Sequence, residues 1–317
     1  STLQRHSFPT RRSSDLDLML NNIENYQKAF SKLVNDLKKN ESILAAMVFG
    51  SMLTGDLWEG SNIDLFVICK DKIENRGKIY TEENNIPVHI KLISKEKFLT
   101  LYQEEMAGGF IHRLFLSSRL VFSKDDEVTA KYDMGRYYPD IDRAKWNMVY
   151  LSDLLKSIEV SKKYLANNGT YMAYSSAIKA LEDFSKLYIN YSGYMISKDV
   201  MTMATNLNDE LRELADKLFF CGQKNMYSVI EEVLKFLDNN INNNIRKYSA
   251  LLLEFMKEKD CLLSSQDILT DELFKNLNIK FEKILNKLFK TGLVKKKSRE
   301  YKDKNNNVLI KENVYFI

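Results

Sequence analysis

The order of apolar and polar positions changes character twice along the chain. From Asn22 to Lys39 apolar residues return at helical spacing, with Ile23, Tyr26, Phe30, Leu33 and Leu37 on one side. Alternating or continuous apolar runs then predict strands at 44–49, 63–69 and 86–93, the last followed by a helix capped by Ser94. A short run from Arg119 to Phe122 adds an edge strand. From Ile141 onward the period is helical. Asp142–Ala166, Tyr171–Tyr191, Asp209–Phe220 and Tyr227–Asn239 read as four antiparallel helices, broken at Asn167-Asn168-Gly169 and Tyr191-Ser192-Gly193. Short breaks of this kind predict an up-and-down bundle. The asparagine-rich run at 239–244 reads as a loop.

The last segment changes again. Helices are expected at 248–259, 266–274 and 278–290, the third stopped by Gly292. Two strand-like runs then flank Asp303-Lys304-Asn305-Asn306-Asn307, a hairpin signal. Three helices followed by a hairpin is the layout of a winged helix-turn-helix. The first segment is therefore expected to be an α+β or α/β domain, followed by an all-α bundle and a winged helix, which makes the chain α+β overall.

Composition narrows the setting. Apolar residues make up 44% of the 317 and charged residues 28%, as in a soluble globular protein. No apolar run approaches the ~20 residues a membrane-spanning helix needs. Cys69, Cys221 and Cys261 lie far apart with no CxxC, which argues for the cytoplasm and against disulfides or a zinc site. Abundant Asn, Lys and Ile suit a bacterial source. His6–Leu16 reads HSFPTRRSSDL, which resembles a sequencing-library adapter translated in frame, so residues 1–16 are expected to be an artefact outside the fold. Setting aside Arg5, Arg11, Arg12 and Asp15 lowers the formal charge from +4 to +2. What remains is uneven: residues 17–135 carry a net −3 and residues 251–317 a net +4. Only the C-terminal segment invites a polyanion.

The chemistry concentrates in VFGSMLTGDLWEGSNIDLFVIC, Val48 to Cys69. Gly50-Ser51 falls where the first strand ends. A glycine there lets backbone N–H groups approach a triphosphate, and the serine hydroxyl adds a donor. Residues two apart on the next strand share a face, so positions 62 and 64 point the same way. Two carboxylates there would clamp divalent metal between nucleotide phosphates and an attacking oxygen. Asp64 is one; Asn62 stands in the other place.

Gly50, Ser51, Gly55, Ser61 and Asp64 together resemble the signature of the DNA polymerase β-like nucleotidyltransferase superfamily, nearest to its minimal nucleotidyltransferases and antibiotic adenylyltransferases. The resemblance implies a mixed sheet with helices, and binding of ATP or another NTP with Mg²⁺ or Mn²⁺. It further implies transfer of a nucleotidyl group to a hydroxyl. Gly50, Ser51 and Ser61 would serve the nucleotide, and Asp64 catalysis and the metal. The pattern ordinarily places a third acid on a later strand; here VHIKL puts His89 at that position. Asn62 and His89 would be metal ligands of reduced charge, since an amide oxygen is a weaker partner for a hard cation and imidazole suits Zn²⁺ or Mn²⁺ better than Mg²⁺. A partly degenerate site follows, from which nucleotide binding is expected more than turnover. The helical segment resembles the HEPN-type partner of such domains, and the order of parts resembles the bacterial YgxA-like family. The expected division is 17–135 nucleotidyltransferase-like, 136–247 HEPN-like and 248–317 winged helix.

Other residues weigh less. His112 reads as surface or packing. Glu182 and Asp183 could supply a general base from the bundle, with a solvated helix face as the ordinary alternative. Lys280, Lys283, Lys287 and Lys290 recur on one helix face, and Lys295, Lys296, Lys297, Arg299, Lys302 and Lys304 load the hairpin. In a winged helix those elements meet DNA or RNA phosphates. The alternative function is thus a non-catalytic, nucleotide-sensing regulator that binds nucleic acid.

Overall fold

The computed structural model describes residues 13–54, 60–71, 77–101, 109–222 and 225–317. Its contacts divide the chain into two units, at Tyr137 and Tyr138. Gly55 and most of the adapter-like stretch fall outside the described residues.

The N-terminal unit is a mixed α+β layer structure. Its strands are β1 (Ile43–Phe49), β2 (Ile63–Cys69), β3 (Lys78–Glu83), β4 (Ile86–Ser94) and β5 (Arg119–Ser123), in the sheet order β3-β4-β2-β1-β5. The β2–β4 pair is parallel and the others are antiparallel. Helix α1 (Ser13–Lys39) covers one face, where Tyr26 and Ala29 pack on Val48, Ile63, Leu65, Val67, Val88 and Ile90. The other face carries Met47, Phe66, Ile68 and Ile93. These pack against Phe98 of α3 (Lys95–Thr100), Phe115 of α4 (Phe110–Leu116), and Val128 and Tyr132 of α5 (Asp126–Met134). A short helix α2 (Ser51–Thr54) follows β1.

Strands β1 and β2 are buried on both faces, which is why they read as continuous apolar runs. Ser94 caps α3 by accepting from the Lys97 N–H at 3.3 Å. Strand β3 carries no apolar signal: KIYTEE is exposed along nearly its whole length, and an edge position tolerates that.

The C-terminal unit runs from α6 (Asp140–Ala166) and α7 (Thr170–Tyr191) through α8 (Val200–Leu207), α9 (Asp209–Phe220) and α10 (Met226–Tyr248). It continues with α11 (Ala250–Lys259), α12 (Ser265–Leu269) and α13 (Phe281–Lys290), then the hairpin of β6 (Lys295–Lys302) and β7 (Val308–Phe316). The hairpin turn is closed by Asp303, whose Oδ1 accepts from the N–H groups of Asn305 and Asn307, each at 2.8 Å. A single apolar core extends from Met148 to Tyr315, so no break in packing accompanies the position 247/248.

The asparagine-rich run at 239–244 is helical, which corrects the expectation of a loop. Leu237, Ile241 and Ile245 are all buried at four-residue spacing, and that stripe holds the helix through its polar neighbours. Asn240 itself is used: its Oδ1 accepts from the Tyr248 hydroxyl at 2.9 Å. Among the described residues, no helix is long and apolar enough to cross a membrane.

Candidate functional site

The site is assembled at one end of the central strands of the N-terminal unit. Gly50 ends β1 with φ +78°, in the left-handed region that glycine adopts without cost. Its carbonyl accepts from the Leu53 N–H at 3.0 Å, which turns the chain back into α2. The missing side chain matters: a Cβ on Gly50 would lie 2.9 Å from Asp64 Oδ2. Asp64 stands opposite Phe49 on β2, and its carboxylate occupies the space beside the glycine.

Parallel pairing of β2 with β4 puts His89 directly beside Asp64. The His89 Nδ1 atom is 3.4 Å from Asp64 Oδ1, with the two side chains 40% and 29% exposed. Both remain open enough to meet a ligand. Tyr80 of β3 stands opposite His89, its ring 4.8 Å from the imidazole at 81°. Lys91, one pair further along the same face of β4, holds its ammonium 5.0 Å from the centre of the Phe66 ring. Neither Tyr80 nor Lys91 was singled out by the sequence. The alternation of VHIKL would have placed Lys91 on the His89 face, whereas Tyr80 sits on a strand without a readable period.

Ser51 opens α2 and is half-buried, next to the Gly50 turn. Asn62 is half-buried and immediately precedes β2. Ser61 is buried, and its carbonyl accepts from the Tyr26 hydroxyl at 2.6 Å, which ties the entry of β2 to α1. Among the described residues no group of three or more His, Cys, Asp and Glu side chains is placed to hold a metal ion. One carboxylate and one imidazole are too few for Mg²⁺ unaided. They fit a cation that arrives with most of its oxygen ligands on a nucleotide. Cys69, at the far end of β2, has its thiol pushed up by burial and then by Asp71, so it is no ready nucleophile.

His112 is fully buried, and its Nε2 donates to the Tyr137 carbonyl at 3.0 Å. In the C-terminal unit Asp183 is buried rather than on a solvated face. Its carboxylate accepts from Ser157 Oγ at 2.7 Å and from Lys179 Nζ at 2.5 Å. Glu182 pairs with Lys186, a hydrogen bond that holds its carboxyl below the usual range. Both acids are thus already matched by cations.

The lysines at the cap of α13 and along it are largely engaged within their own unit. Lys280 pairs with Asp153, Lys283 with Glu159, and Lys287 lies 3.8 Å from Asp238. Lys290 is exposed at the end of the helix. On the hairpin, Lys295 and Lys297 are exposed and lie over the Phe316 ring, while Lys296 lies over Tyr315. Arg299 is taken up by Asp267 and Glu312. Basic charge facing solvent therefore gathers on the hairpin rather than on the middle of α13.

Comparison with known proteins follows the same outline. Residues 31–127 match the family model for polymerase beta nucleotidyltransferases, a span that contains Gly50, Ser51, Asp64, Tyr80 and His89. A crystal structure of a nucleotidyltransferase-like protein from Exiguobacterium sibiricum 255-15 superposes with a TM-score of 0.60. That match has 14% identity and covers 92% of this chain and 99% of the other. No curated protein matches the sequence.

Proposed function

We propose that the N-terminal unit binds a nucleoside triphosphate with its divalent cation, and that Asp64 is the side chain on which this binding turns. The nucleotidyltransferase-like domain is the premise. The observation that carries the reading is the fit of the Asp64 carboxylate into the space left by Gly50, with His89 at its other side. Gly50 and Ser51 would receive the phosphates, Ser61 would fix the entry of β2, and Asp64, His89 and Asn62 would face the metal. ATP with Mg²⁺ or Mn²⁺ is the ligand of first choice. The cation, when bound, supplies charge neutralisation along the phosphates.

In a productive cycle an acceptor hydroxyl oxygen forms a bond to the α-phosphorus, the bond to pyrophosphate breaks, and the acceptor proton passes to water. With one carboxylate where the family pattern has three acids, binding is expected to be stronger evidence of function than turnover. Calorimetry with Mg-ATP on the whole chain tests this: Asp64→Ala should abolish binding, and equal binding by both proteins would remove Asp64 from the site. His89→Asp should tighten Mg²⁺-dependent binding by about tenfold or more, because it returns a negative ligand.

The C-terminal unit supports a second reading, in which a HEPN-like bundle and a winged-helix segment make the protein a cytoplasmic bacterial regulator that contacts DNA or RNA. The exposed Lys295, Lys297, Lys304 and Lys290 favour the hairpin end for that contact. Affinity that does not fall with salt would count against it.

A further inference from the structure

The register of the sheet sets four residues in one row across four strands: Tyr80 on β3, His89 on β4, Asp64 on β2 and Phe49 on β1. Side chains that stand directly opposite one another share a face. Asp64 is at the middle of this row, the Gly50 turn is at one end, and Tyr80 is at the other. Tyr80 is 68% exposed, although its ring is held against His89 in an edge-to-face contact. A large aromatic ring, open to solvent and propped by a residue of the site, is a stacking platform.

We infer that Tyr80 is the nucleobase platform of this site, and that the nucleotide lies across the strands with its base at the β3 edge. The inference rests on the nucleotide-binding reading above. Two strand spacings separate Tyr80 from Asp64, roughly 10 Å, which is the reach of a nucleoside with its first phosphate. The remaining phosphates then run on toward Gly50 and Ser51. A base seated on a ring face is recognised by its planarity, so the platform takes a nucleoside triphosphate without hydrogen-bonding the edge of its base and without choosing among bases.

The alternative is a tyrosine placed on an edge strand only because aromatic side chains suit strands. Calorimetry on the whole chain separates the two, with Mg-ATP and Mg-tripolyphosphate as probes. Wild type should bind ATP more tightly than tripolyphosphate. Tyr80→Ala should weaken ATP by about tenfold or more, to the level of tripolyphosphate, whose own binding should not change. Tyr80→Trp keeps a platform, and its added indole fluorescence should change when ATP binds. ATP binding that Tyr80→Ala leaves intact, or an indole that ignores ATP, overturns the inference alone. Failure of wild type to bind either probe overturns the reading of the site and the platform with it.

Discussion

Gly50 and Asp64 are fitted to each other: the space a Cβ would fill on the glycine is held by the aspartate, 2.9 Å away at Oδ2. The glycine also has φ +78°, so its two constraints coincide.

Gly50→Ala is therefore expected to act twice. The strained backbone should cost about 1–2 kcal/mol of stability, and the new methyl should push the Asp64 carboxylate out of place. Thermal melting reads the first effect and Mg-ATP calorimetry the second. Ser51→Ala, which leaves the turn intact, should lose less of both. A Gly50→Ala protein that binds like wild type would mean that the carboxylate need not sit against the turn.

Lys287 offers a test of the opposite kind. Burial pulls its ammonium pKa below the ordinary 10.5, outweighing the pull upward from Asp238. Holding the charge in the folded state therefore costs stability at neutral pH, and that cost is relieved as pH rises through the lowered folded pKa toward 10.5. Asp238 keeps a partner in Lys162. Lys287→Met should melt at the same temperature as wild type or higher at pH 7, with the gap closing in alkali. A clear loss of stability at pH 7 would show that the pair with Asp238 outweighs the burial.

Asp125 supplies a third prediction, in the N-terminal unit. It caps α5 by accepting from the Val128 N–H at 3.1 Å and accepts from Lys95 Nζ at 2.6 Å. The hydrogen bond from Lys95, followed by those from the backbone, holds its carboxyl below the ordinary 3.8 despite partial burial. Stability from this group is complete above 3.8 and is lost as pH falls through the lowered value. Asp125→Ala should cost about 1–2 kcal/mol at pH 7 by urea unfolding. The difference from wild type should narrow in acid below 3.8.

Much of the N-terminal unit could be read from its sequence because β1, β2 and β4 have buried faces that leave a pattern. Strand β3 leaves none, since nearly every residue of KIYTEE meets water. Tyr80 was hidden for the same reason. Its role depends on sheet register, which joins it to His89 only after the chain has turned at Asn84 and Asn85. Helix α5 was missed because only Val128 and Tyr132 are buried along it. Asp183 reads as surface in a sequence because acids usually are, whereas its burial is made tolerable by Ser157 of α6 and by Lys179 one turn before it on α7. The sequence places Lys280, Lys283, Lys287 and Lys290 on one helical face; in the structure Lys280 is the cap before α13 and the other three lie along it. Periodicity gives the face and not what lies against it, and here Asp153, Glu159 and Asp238 lie against it.

The shared interior of the C-terminal unit gives the hairpin an unusual mounting. Leu252, Phe255, Ile284, Leu285 and Tyr315 are all sealed against water in the same apolar cluster as Leu151, Phe184 and Leu237. Strands β6 and β7 are thus less a tethered accessory than a lever clasped to α13 by the Tyr315 hydroxyl on Glu282 and Asn286, with α13 in turn bolted to α6 by charge. The path from that lever to α6 therefore runs through α13, by way of Lys280 and Lys283.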